Sequence, residues 1–468
     1  MANKTIHILR YGTAAEKTHL EKAISSYDYL GINGNSAAYV AGAISKFIVE
    51  KFFSKPDKGF FIDPITYAFQ NEIKLLKKRS KATGMETIKK SVRMLIEEYG
   101  SPINKVEADI PVAVSDFDDE VRKTFCHNVL KFQYDLVFNH IEKNDLQKYL
   151  DYAVLGDKKL FPQLRPKFLI APYFYLNSNN ESFQQWLNLN INFIHLAKKV
   201  SRDKCNDSEV FAQVVISKET LMDSFALSRI VDAYKNVPCD GFTVWIDDLN
   251  EHDASFEELS RFVKLLKGLN HKPVYNMYGG YFSVLLTHKQ IGLLAGVSHG
   301  LEYGESRKVY PVGGGIPISK YYYFPLHQRM DFTKAYYLLT SENIIDTSKI
   351  DWGTAEKYYK EICKCEQCKK VIRNEMINFV EFESKEFYEV HRNDQVLRRK
   401  KASLDTKQNC LYHYLLCKKM EFKRVSNKSL PVLLDEMKQQ KCRYMNYEAL
   451  KKSELDYIDT WIRTIKGV

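Results

Sequence analysis

Three cysteines fall within six residues near the end of the sequence, in the segment CKCEQC that runs from Cys363 through Cys365 to Cys368. The spacing C-x-C-x-x-C lets thiolates two and three positions apart converge on one metal ion from a tight turn. Zinc suits this donor set, because it takes soft or borderline ligands in a tetrahedron. Three thiolates leave one corner of that tetrahedron to be filled by another residue.

The fourth ligand is sought among the histidines that follow the cysteines. His391 lies 23 positions after Cys368, and His413 lies 45 positions after it. We choose His391, because one helical stretch separates it from the cysteines and a short connection would fold it back. Four protein ligands make the zinc structural, with no open position for water. Reduced surface thiols and an unrelated histidine are the alternative interpretation of the same pattern.

A second set of polar residues and glycines comes at the ends of buried apolar segments. These residues are Asp63, Tyr173, Asp247, Asp248, Gly279, Gly280 and Glu302. A carboxylate at such a position has a pKa that burial can tune, which suits an acid, a base or a nucleophile. Glycines would let the backbone approach a flat ligand closely. The plainer alternatives are a turn-forming Asp before Pro, a solvated loop and an ordinary strand-end turn.

The apolar segments predict the elements that hold these residues. Five buried strands are predicted in KFLIAPYFYL, EVFAQVVIS, DGFTVWIDDL, KPVYNMYGG and GVSHGLEYGE. Amphipathic helical stretches separate them, which indicates parallel β/α units of the α/β class. A (β/α)8 barrel gathers all its strand ends on one face, whereas a doubly wound sheet uses only its switch point. We therefore predict a TIM-like (β/α)8 barrel, with His299 and Tyr303 at the same mouth.

The chain divides into four predicted ranges. Residues 1–75 begin the barrel, residues 76–160 form a helical insertion, residues 161–355 complete the barrel, and residues 356–468 form a zinc-binding C-terminal segment with basic helices. Within the last range, residues 396–425 carry many cations beside Tyr412, His413 and Tyr414. Cations among aromatic rings suit nucleic acid, although a solvated helix has the same composition.

Composition bounds the class of protein. The chain has 468 residues, a hydrophobic content of 45% and a net charge of +11, which favours a buried core and a polyanionic partner. No apolar run reaches the roughly 18 residues of a membrane span. The N-terminus MANKTIHILRYGTAAEK lacks the layout of a signal peptide. We expect a cytoplasmic protein with no membrane partner, in which the nine cysteines favour a metal cluster over disulfides.

A β/α barrel followed by C-x-C-x-x-C and a later histidine resembles the tRNA-guanine transglycosylase superfamily, whose barrel carries a zinc-bound C-terminal segment. The segment KPVYNMYGGYFSVLLTHKQIGLLAGVSHGLEYGESR is similar to a late strand, helix and Gly-Val strand of that family. In this register the family's nucleophilic aspartate falls at Leu301, with Glu302 beside it. The family's early strand ends in an aspartate, which Asp63 matches, but PIT replaces the small residues that follow.

Two base-reading positions of the tRNA enzymes differ as well. Their base-reading aspartate falls near Tyr173, and the glutamine of their next strand falls near Val215. A chain that keeps the frame and the zinc pattern but loses these motifs is most similar to the divergent branch that inserts 7-deazaguanine derivatives into DNA. The resemblance implies a pentosyltransferase with structural Zn²⁺, binding DNA (or tRNA) and a 7-deazaguanine base, alongside partner proteins of a DNA-modification system.

This implied chemistry assigns roles to the strand-end residues. A carboxylate attacks the anomeric carbon, and a second group manages the protons of the outgoing and incoming bases. Asp63 is the expected acid/base, and Glu302 is the first choice of nucleophile, ahead of Asp248 and Asp247. The expected substrate-binding residues are Tyr173, Gly279, Gly280 and His299.

Three other functions stay open. The first two are enzymatic: base exchange in tRNA, and an N-glycosidase that removes a base without replacing it. The third is a catalytically inactive, zinc-stabilised nucleic-acid-binding module, for which the loss of the aspartate at Leu301 is the best support.

Overall fold

Eight parallel strands form the wall of a barrel in the computed structural model of this protein. They are β1 (Ile6–Tyr11), β2 (Tyr29–Asn33), β3 (Gly59–Asp63), β4 (Leu169–Ile170), β5 (Val210–Ile216), β6 (Gly241–Ile246), β7 (Val274–Asn276) and β8 (Gly296–Gly300). The strands are hydrogen-bonded in the order β3-β2-β1-β8-β7-β6-β5-β4, and every pair is parallel. β3 and β4 are therefore the two edge strands of the sheet. The predicted TIM-like barrel of the α/β class is thus the observed fold.

The structure describes most of the chain. The described residues are 5–11, 20–21, 23–52, 55–79, 84–142, 144, 146–147, 164–301, 304–310, 319–392, 395–448 and 450–468.

Helices surround the barrel and build the C-terminal segment. Those up to the last barrel strand are α1 (Gly34–Tyr39), α2 (Ala41–Phe52), α3 (Lys90–Tyr99), α4 (Asp119–His140), α5 (Phe183–Lys204), α6 (Lys218–Met222), α7 (Ser224–Tyr234), α8 (Phe256–Leu269) and α9 (Tyr281–Leu286). Those after it are α10 (Phe332–Ser341), α11 (Glu356–Glu361), α12 (Glu366–Ile372), α13 (Leu404–Asn427), α14 (Leu430–Tyr444) and α15 (Asp456–Lys466). Among the described residues, no helix combines the length and apolar character that crossing a membrane requires.

Shorter elements complete the chain. The 3-10 helices are Ile24–Ser26, Thr66–Phe69, Ile73–Leu76, Ile103–Ala108, Val114–Asp116, Phe324–Leu326, Met376–Phe382 and Lys452–Leu455. Three antiparallel strand pairs of the described residues lie outside the barrel: Lys77–Arg79 with Glu86–Ile88, Tyr321–Tyr323 with Gln328–Met330, and Glu386–Arg392 with Gln395–Lys401. The predicted helical range 76–160 therefore contains the first of these pairs as well as α3 and α4.

Burial explains why the sequences of the strands are continuous apolar runs. Every residue of β3, β5 and β6 is buried, because the inner face packs into the barrel and the outer face packs against helices. Parallel strands covered on both faces do not need the polar alternation of a half-exposed sheet.

Stacked rings fill the lower part of the barrel. The ring centroids of Phe61 and Phe168 lie 4.6 Å apart, those of Phe168 and Phe211 lie 4.1 Å apart, and Tyr275 follows at 5.4 Å from Phe211. Gly241 makes room for this layer, since a Cβ there would lie 2.4 Å from the Phe211 ring. The interior is thus a packed core rather than a pore.

The barrel closes between its two edge strands through a small number of bonds. The N–H of Lys167 donates to the C=O of Phe60 at 2.8 Å. The side chain of Gln133, on α4, accepts from the N–H of Ile170 at 2.8 Å and donates to its C=O at 2.8 Å. At this seam between β3 and β4, the Gln133 side chain thereby satisfies the backbone groups of Ile170 in β4 that a neighbouring strand would otherwise pair with.

The C-terminal segment covers the outside of the barrel. Phe422 of α13 stacks on His7 of β1, with ring centroids 4.5 Å apart, and Tyr414 meets His299 of β8 at 5.3 Å. The indole N–H of Trp461, on α15, donates to the C=O of Glu251 at 2.8 Å. Because these contacts bury the outer faces of β1 and β8, the segment is part of the barrel's helical layer.

Candidate active site and metal centre

Asp63 lies at the carboxyl end of β3 and is fully buried. Its Oδ2 accepts from Nη2 of Arg10 at 2.9 Å, and its Oδ1 accepts from the O–H of Tyr173 at 2.5 Å and from the N–H of Ile65 at 3.1 Å. The structure therefore joins two residues that the sequence predicted separately, Asp63 and Tyr173. It also adds Arg10, which the sequence analysis missed.

Charge and burial fix the roles within this group. Burial disfavours the charged guanidinium of Arg10, but Tyr278 and Asp63 outweigh it and raise its pKa. Burial, reinforced by Asp63, raises the pKa of the Tyr173 phenol well above its ordinary value, so Tyr173 is a proton donor. Nη1 of Arg10 is buried and has no hydrogen-bond partner among the described residues. It is a donor available to a ligand.

Aromatic rings line the same mouth. Tyr67 meets Trp245 at 5.5 Å, and Trp245 meets Tyr278 at 4.8 Å between ring centroids. The guanidinium of Arg10 lies 4.7 Å from the centre of the Tyr278 ring, and Nη1 of Arg307 donates to the Tyr278 hydroxyl at 3.2 Å. Trp245 and Tyr278 are buried and pack behind Tyr67, so they hold in place the ring that faces the opening.

A cleft of about 230 Å³ opens beside these rings. Its lining includes Asn33, Tyr67, Arg307 and Tyr310. Asn33 follows Ile32 at the end of β2 and is the parallel partner of Asp63. The cleft therefore lies at the carboxyl ends of the strands, where barrels of this type place their reactive groups.

The two adjacent aspartates after β6 have different surroundings. Asp247 accepts from the O–H of Tyr175 at 2.9 Å and from the N–H of Val309 at 2.7 Å. Asp248 has a positive φ of 52°, is 45% exposed and pairs with Lys308 at 3.5 Å. Asp247 thus belongs to the ordered mouth, and Asp248 lies on its solvent side.

Glu302, the first choice of nucleophile, and Tyr303 lie outside the described residues. Leu301, at the family's aspartate position, is fully buried.

Gly279 and Gly280 are surrounded by protein atoms. A Cβ on Gly279 would lie 2.7 Å from atoms of Asn276, Ser283 and Val297. A Cβ on Gly280 would lie 2.8 Å from a carboxylate oxygen of Glu251 and 2.9 Å from one of Glu305. The space that the sequence analysis assigned to a ligand is therefore filled by the protein's own side chains, which is the physical reason for glycine here.

His299 lies on the outer face of the barrel, so its predicted place at the mouth is wrong. Its strand partner is Leu9, whereas Arg10, one residue on, points inward to Asp63. Nε2 of His299 lies 3.2 Å from Nε2 of His7, beneath α13. Burial lowers the pKa of His7 to about 3 and that of His299 well below its ordinary value, so the pair is neutral.

The three cysteines of the CKCEQC segment converge with a histidine at a buried site. Cys363, Cys365, Cys368 and His413 each offer one ligand atom, and these four atoms lie within 4.8 Å of one another. Nδ1 of His413 lies 3.1 Å from Sγ of Cys368 and 3.4 Å from Sγ of Cys365. The predicted thiol cluster is thus present, and its three sulfurs and one nitrogen are the donor set that zinc prefers.

The histidine of this group corrects the prediction of His391. His391 lies in the strand Glu386–Arg392, paired with Val396, and its side chain is outside the described residues. His413 lies on α13, which packs along α12 and brings the imidazole to Cys368. The choice of His391 rested on its shorter separation from the cysteines in sequence. The long helix α13 instead places the more distant His413 beside them.

Neighbouring groups hold this centre in a form suited to a metal. Nε2 of His413 lies 2.7 Å from the C=O of Tyr322 and can only donate to it, which leaves Nδ1, facing the thiols, as the ring atom that a metal would take. The O–H of Tyr358 lies 3.0 Å from Sγ of Cys368. A zinc ion held by four protein ligands here would supply structural stabilisation rather than an open site for water.

A buried network of charged side chains links α13, the helix that carries His413, to the barrel. Lys418 is 1% exposed and pairs with Glu305, in the loop after β8, and with Glu421 at 2.8 Å. Glu421 also lies 2.6 Å from Nδ1 of His327. The cations of residues 396–425 are therefore not all solvent-facing, and Tyr414 beside them is buried too.

Comparison with known proteins finds matches among solved structures. No family model matches the chain, and no curated protein matches it. Among solved structures, a type I 3-dehydroquinate dehydratase from Clostridium difficile has a TM-score of 0.28 and 8% identity, covering 66% of this chain and 89% of that one. A putative phosphonomutase from Burkholderia cenocepacia J2315 has a TM-score of 0.30 and 10% identity, covering 64% and 88%. Likenesses at this level carry no argument about function.

Proposed function

We propose that this protein is an enzyme, a transglycosylase that exchanges guanine in DNA for a 7-deazaguanine derivative. The observation that carries the proposal is the group formed by Asp63, Tyr173 and Arg10 at the mouth of a barrel that also bears the cysteine and histidine cluster. A buried carboxylate beside a proton donor, a free guanidinium N–H and aromatic walls suits acid/base work on a flat base.

In this reaction a carboxylate oxygen forms a bond to C1′ of the sugar while the bond from C1′ to N9 of guanine breaks. The departing guanine takes a proton from the carboxylic acid form of Asp63, and the Asp63 carboxylate left by that transfer later removes the N9 proton of the incoming base. The incoming N9 then bonds to C1′ and frees the carboxylate. Glu302 remains the first choice of nucleophile, with Asp247 as the alternative inside the described mouth.

The aromatic mouth supports recognition of the base. Tyr67 and Tyr310 line the cleft and offer ring edges and faces, and Nη1 of Arg10 is free to donate to an acceptor atom of the base. Guanine has such acceptors at O6 and N7, and a 7-deaza base keeps only O6. The proposal therefore assigns Arg10 to O6.

An exposed ribbon supports DNA as the partner. In the strand pair Glu386–Lys401 the guanidinium of Arg398 lies 4.3 Å from the ring centre of Phe387, which is 47% exposed. Lys400 is the strand partner of Phe387 and is exposed. A two-stranded ribbon of this width fits the major groove of B-form DNA, and the net charge of +11 favours contact with phosphates.

The proposal is tested by product analysis. The full chain is incubated separately with duplex DNA, single-stranded DNA and tRNA, each with a 7-deazaguanine base, and the nucleosides are identified by mass spectrometry. A 7-deazaguanine deoxynucleoside is the expected product. A product in tRNA alone would move the substrate to RNA, and base loss without insertion would make the protein an N-glycosidase.

The variant Asp63→Asn tests the acid/base role of Asp63. It keeps the shape of the side chain but cannot shuttle the proton, so exchange is expected to fall by at least about 100-fold. The control is Asp232→Asn, on the exposed face of α7, which should leave exchange unchanged. Equal thermal melting of the two variants shows that the loss is chemical. Full activity of Asp63→Asn would refute the role of Asp63.

A second candidate is a nucleic-acid-binding protein without catalysis. One observation favours it: both oxygens of Asp63 are already engaged, by Arg10, Tyr173 and Ile65. This candidate predicts DNA binding by the wild-type protein with no new nucleoside from any of the three substrates.

A further inference from the structure

An open cavity of about 980 Å³ lies at the amino ends of the barrel strands, on the face opposite the mouth. In its lining, Thr5, Asp28 and Ala295 directly precede β1, β2 and β8. Helix α13 forms one wall, with residues between Lys419 and Ser426. None of the described residues that line the cleft at the mouth lines this cavity, so the two sites are separate.

Lysines outnumber carboxylates in the lining of this cavity. Among the described residues its acidic members are Asp28 and Asp57, and Asp57 pairs with Lys58 at 3.9 Å. The lysines come from four separate parts of the chain, and they are Lys58, Lys272, Lys289, Lys419 and Lys423. Because the carboxylates are fewer, the cavity has a positive potential that attracts anions.

Three of these lysines are not neutralised by the protein. Lys289, Lys419 and Lys423 are exposed, and none of them forms an ion pair within the part of the chain that the structure describes. Lys419 and Lys423 lie four residues apart on α13, so their like charges leave one face of the helix one turn apart and repel each other. An anion bound between them and Lys289 would relieve this repulsion.

The cavity continues along α13 into a second cavity of about 260 Å³, and Ser25 and Ser26 line both. The two together are called the amino-end groove. From α13 their linings include Gln408, Tyr412, Leu416, Lys419, Lys423 and Ser426. The spacing of three and four residues puts these side chains on one face of the helix, over about 27 Å at 1.5 Å per residue.

We propose that the amino-end groove binds a single strand of nucleic acid through its phosphate backbone. Proteins hold single strands in positively charged grooves that also offer aromatic side chains, and Tyr412 supplies such a ring beside the cations. A groove of this length holds several nucleotides rather than one. The inference does not depend on the proposed base exchange, because the groove contains none of the residues of the mouth.

The test measures binding of the full chain to a fluorescent DNA strand of about 30 nucleotides, which is longer than the groove, over a series of salt concentrations. Lys419→Gln/Lys423→Gln should weaken binding by at least about 10-fold at low salt. It should also reduce the slope of log affinity against log salt by about 1.4, since each phosphate contact of a single strand contributes about 0.7. Adding Lys289→Gln should reduce the slope by about 0.7 more.

The matched control is Lys199→Gln/Lys204→Gln, which removes two exposed lysines from α5. This variant should bind the strand with an affinity within about twofold of wild type and with the same salt slope. Binding is measured without a 7-deazaguanine base. A protein that exchanges no base can therefore still confirm the groove, and an active transglycosylase can still lack it.

Equal affinities and equal slopes for the groove variant and the α5 variant would overturn the proposal. Parallel titrations use duplex DNA, inorganic triphosphate and polyglutamate as ligands. A groove variant that keeps its affinity for the single strand but loses affinity for one of these three would also overturn it, because the ligand of the groove would then be a duplex, a free phosphate compound or an acidic polypeptide.

Discussion

Glu251 is a buried carboxyl group beneath the barrel mouth. Burial raises its pKa to about 7, although the O–H of Ser283, which donates to it at 2.5 Å, acts in the opposite direction. The neighbouring carboxylate of Glu305 raises the pKa further. The ionised form of Glu251 is therefore disfavoured in the folded protein.

This residue gives the fold a pH dependence with a definite sign. Its ordinary pKa is 4.5, so between pH 4.5 and about 7 the folded chain keeps a proton that the unfolded chain releases. The contribution of protonated Glu251 to the free energy of unfolding is therefore at its full value below pH 4.5, and it is lost as the pH rises through 7. Glu251→Gln should therefore exceed wild type in free energy of unfolding by about 3 kcal/mol above pH 7, and match it near pH 4.

Urea unfolding between pH 4 and 8 measures this difference. The exposed Glu257→Gln on α8 is the control and should run parallel to wild type throughout. A Glu251→Gln variant that is less stable than wild type at pH 8 would show that the ionised carboxylate is the stabilising form.

The residues of the site were predictable where they end apolar strands. Asp63 and Tyr173 stand out because a polar group follows a buried run, whereas Arg10 lies inside the run IHILRY and gives no such boundary. Its inward direction depends on strand parity and register, which the sequence alone does not supply.

The ring layer in the lower barrel depends on glycine at one strand position. Gly241→Ala would place a methyl group 2.4 Å from the Phe211 ring, which is held by Phe168 and Tyr275 on either side. The ring must move in a packed interior, so the variant should lose about 1–3 kcal/mol of stability. Chemical denaturation measures the loss.

Gly42→Ala is the matched control. Gly42 is exposed in α2, and a Cβ there would meet only the C=O of His140 at 3.6 Å. Alanine favours the helix, so this variant should gain up to about 1 kcal/mol. Equal stability of the two variants would contradict a tightly packed ring layer.

At the level of elements, the buried strands were the most predictable part. Runs such as FAQVVI and GFTVWI are mostly apolar without alternation, as is typical of a parallel strand covered on both faces. Residues 76–160 were predicted as helical, but the pair Lys77–Arg79 and Glu86–Ile88 is too short and too polar to give a periodic signal. Helix α13 was predicted as a solvated or nucleic-acid-binding stretch, because its cations hide the partners that bury Lys418.

Removal of a metal held by the cysteine and histidine cluster should affect more than the four ligand residues. The centre joins α12, α13 and the strand pair Tyr321–Met330, since Tyr322 binds His413 and Tyr321 stacks on it at 4.6 Å. If the cluster holds a metal, chelation leaves four buried donor groups without their common partner, so the melting temperature should fall by at least about 5 °C. Differential scanning fluorimetry with and without a chelator measures the shift.

Hydrogen exchange locates the damage in the same experiment. Exchange should quicken in residues 321–330 and 404–427, while α5, on the far side of the barrel, keeps its protection. Uniform quickening would mean that barrel and C-terminal segment unfold together, and no change in either range would contradict a structural metal.

For the whole molecule, the order of barrel and metal segment was predictable, but their relation in space was not. A composition shift after residue 355 suggested an appended unit. The outer faces of β1 and β8 instead need α13 as their cover, through Phe422 and Tyr414. Which helix covers which strand depends on long-range packing that local periodicity does not record.

The seam of the barrel has a consequence for ligand binding. Asp63 ends the edge strand β3, and Tyr173 follows the edge strand β4. Their 2.5 Å hydrogen bond therefore connects the two edges of the sheet across the seam. A ligand that draws Asp63 away from Tyr173 loosens that connection, and by reciprocity a loosened wall binds such a ligand more tightly. Closure of the wall at this seam and occupancy of the mouth are thus expected to be thermodynamically linked.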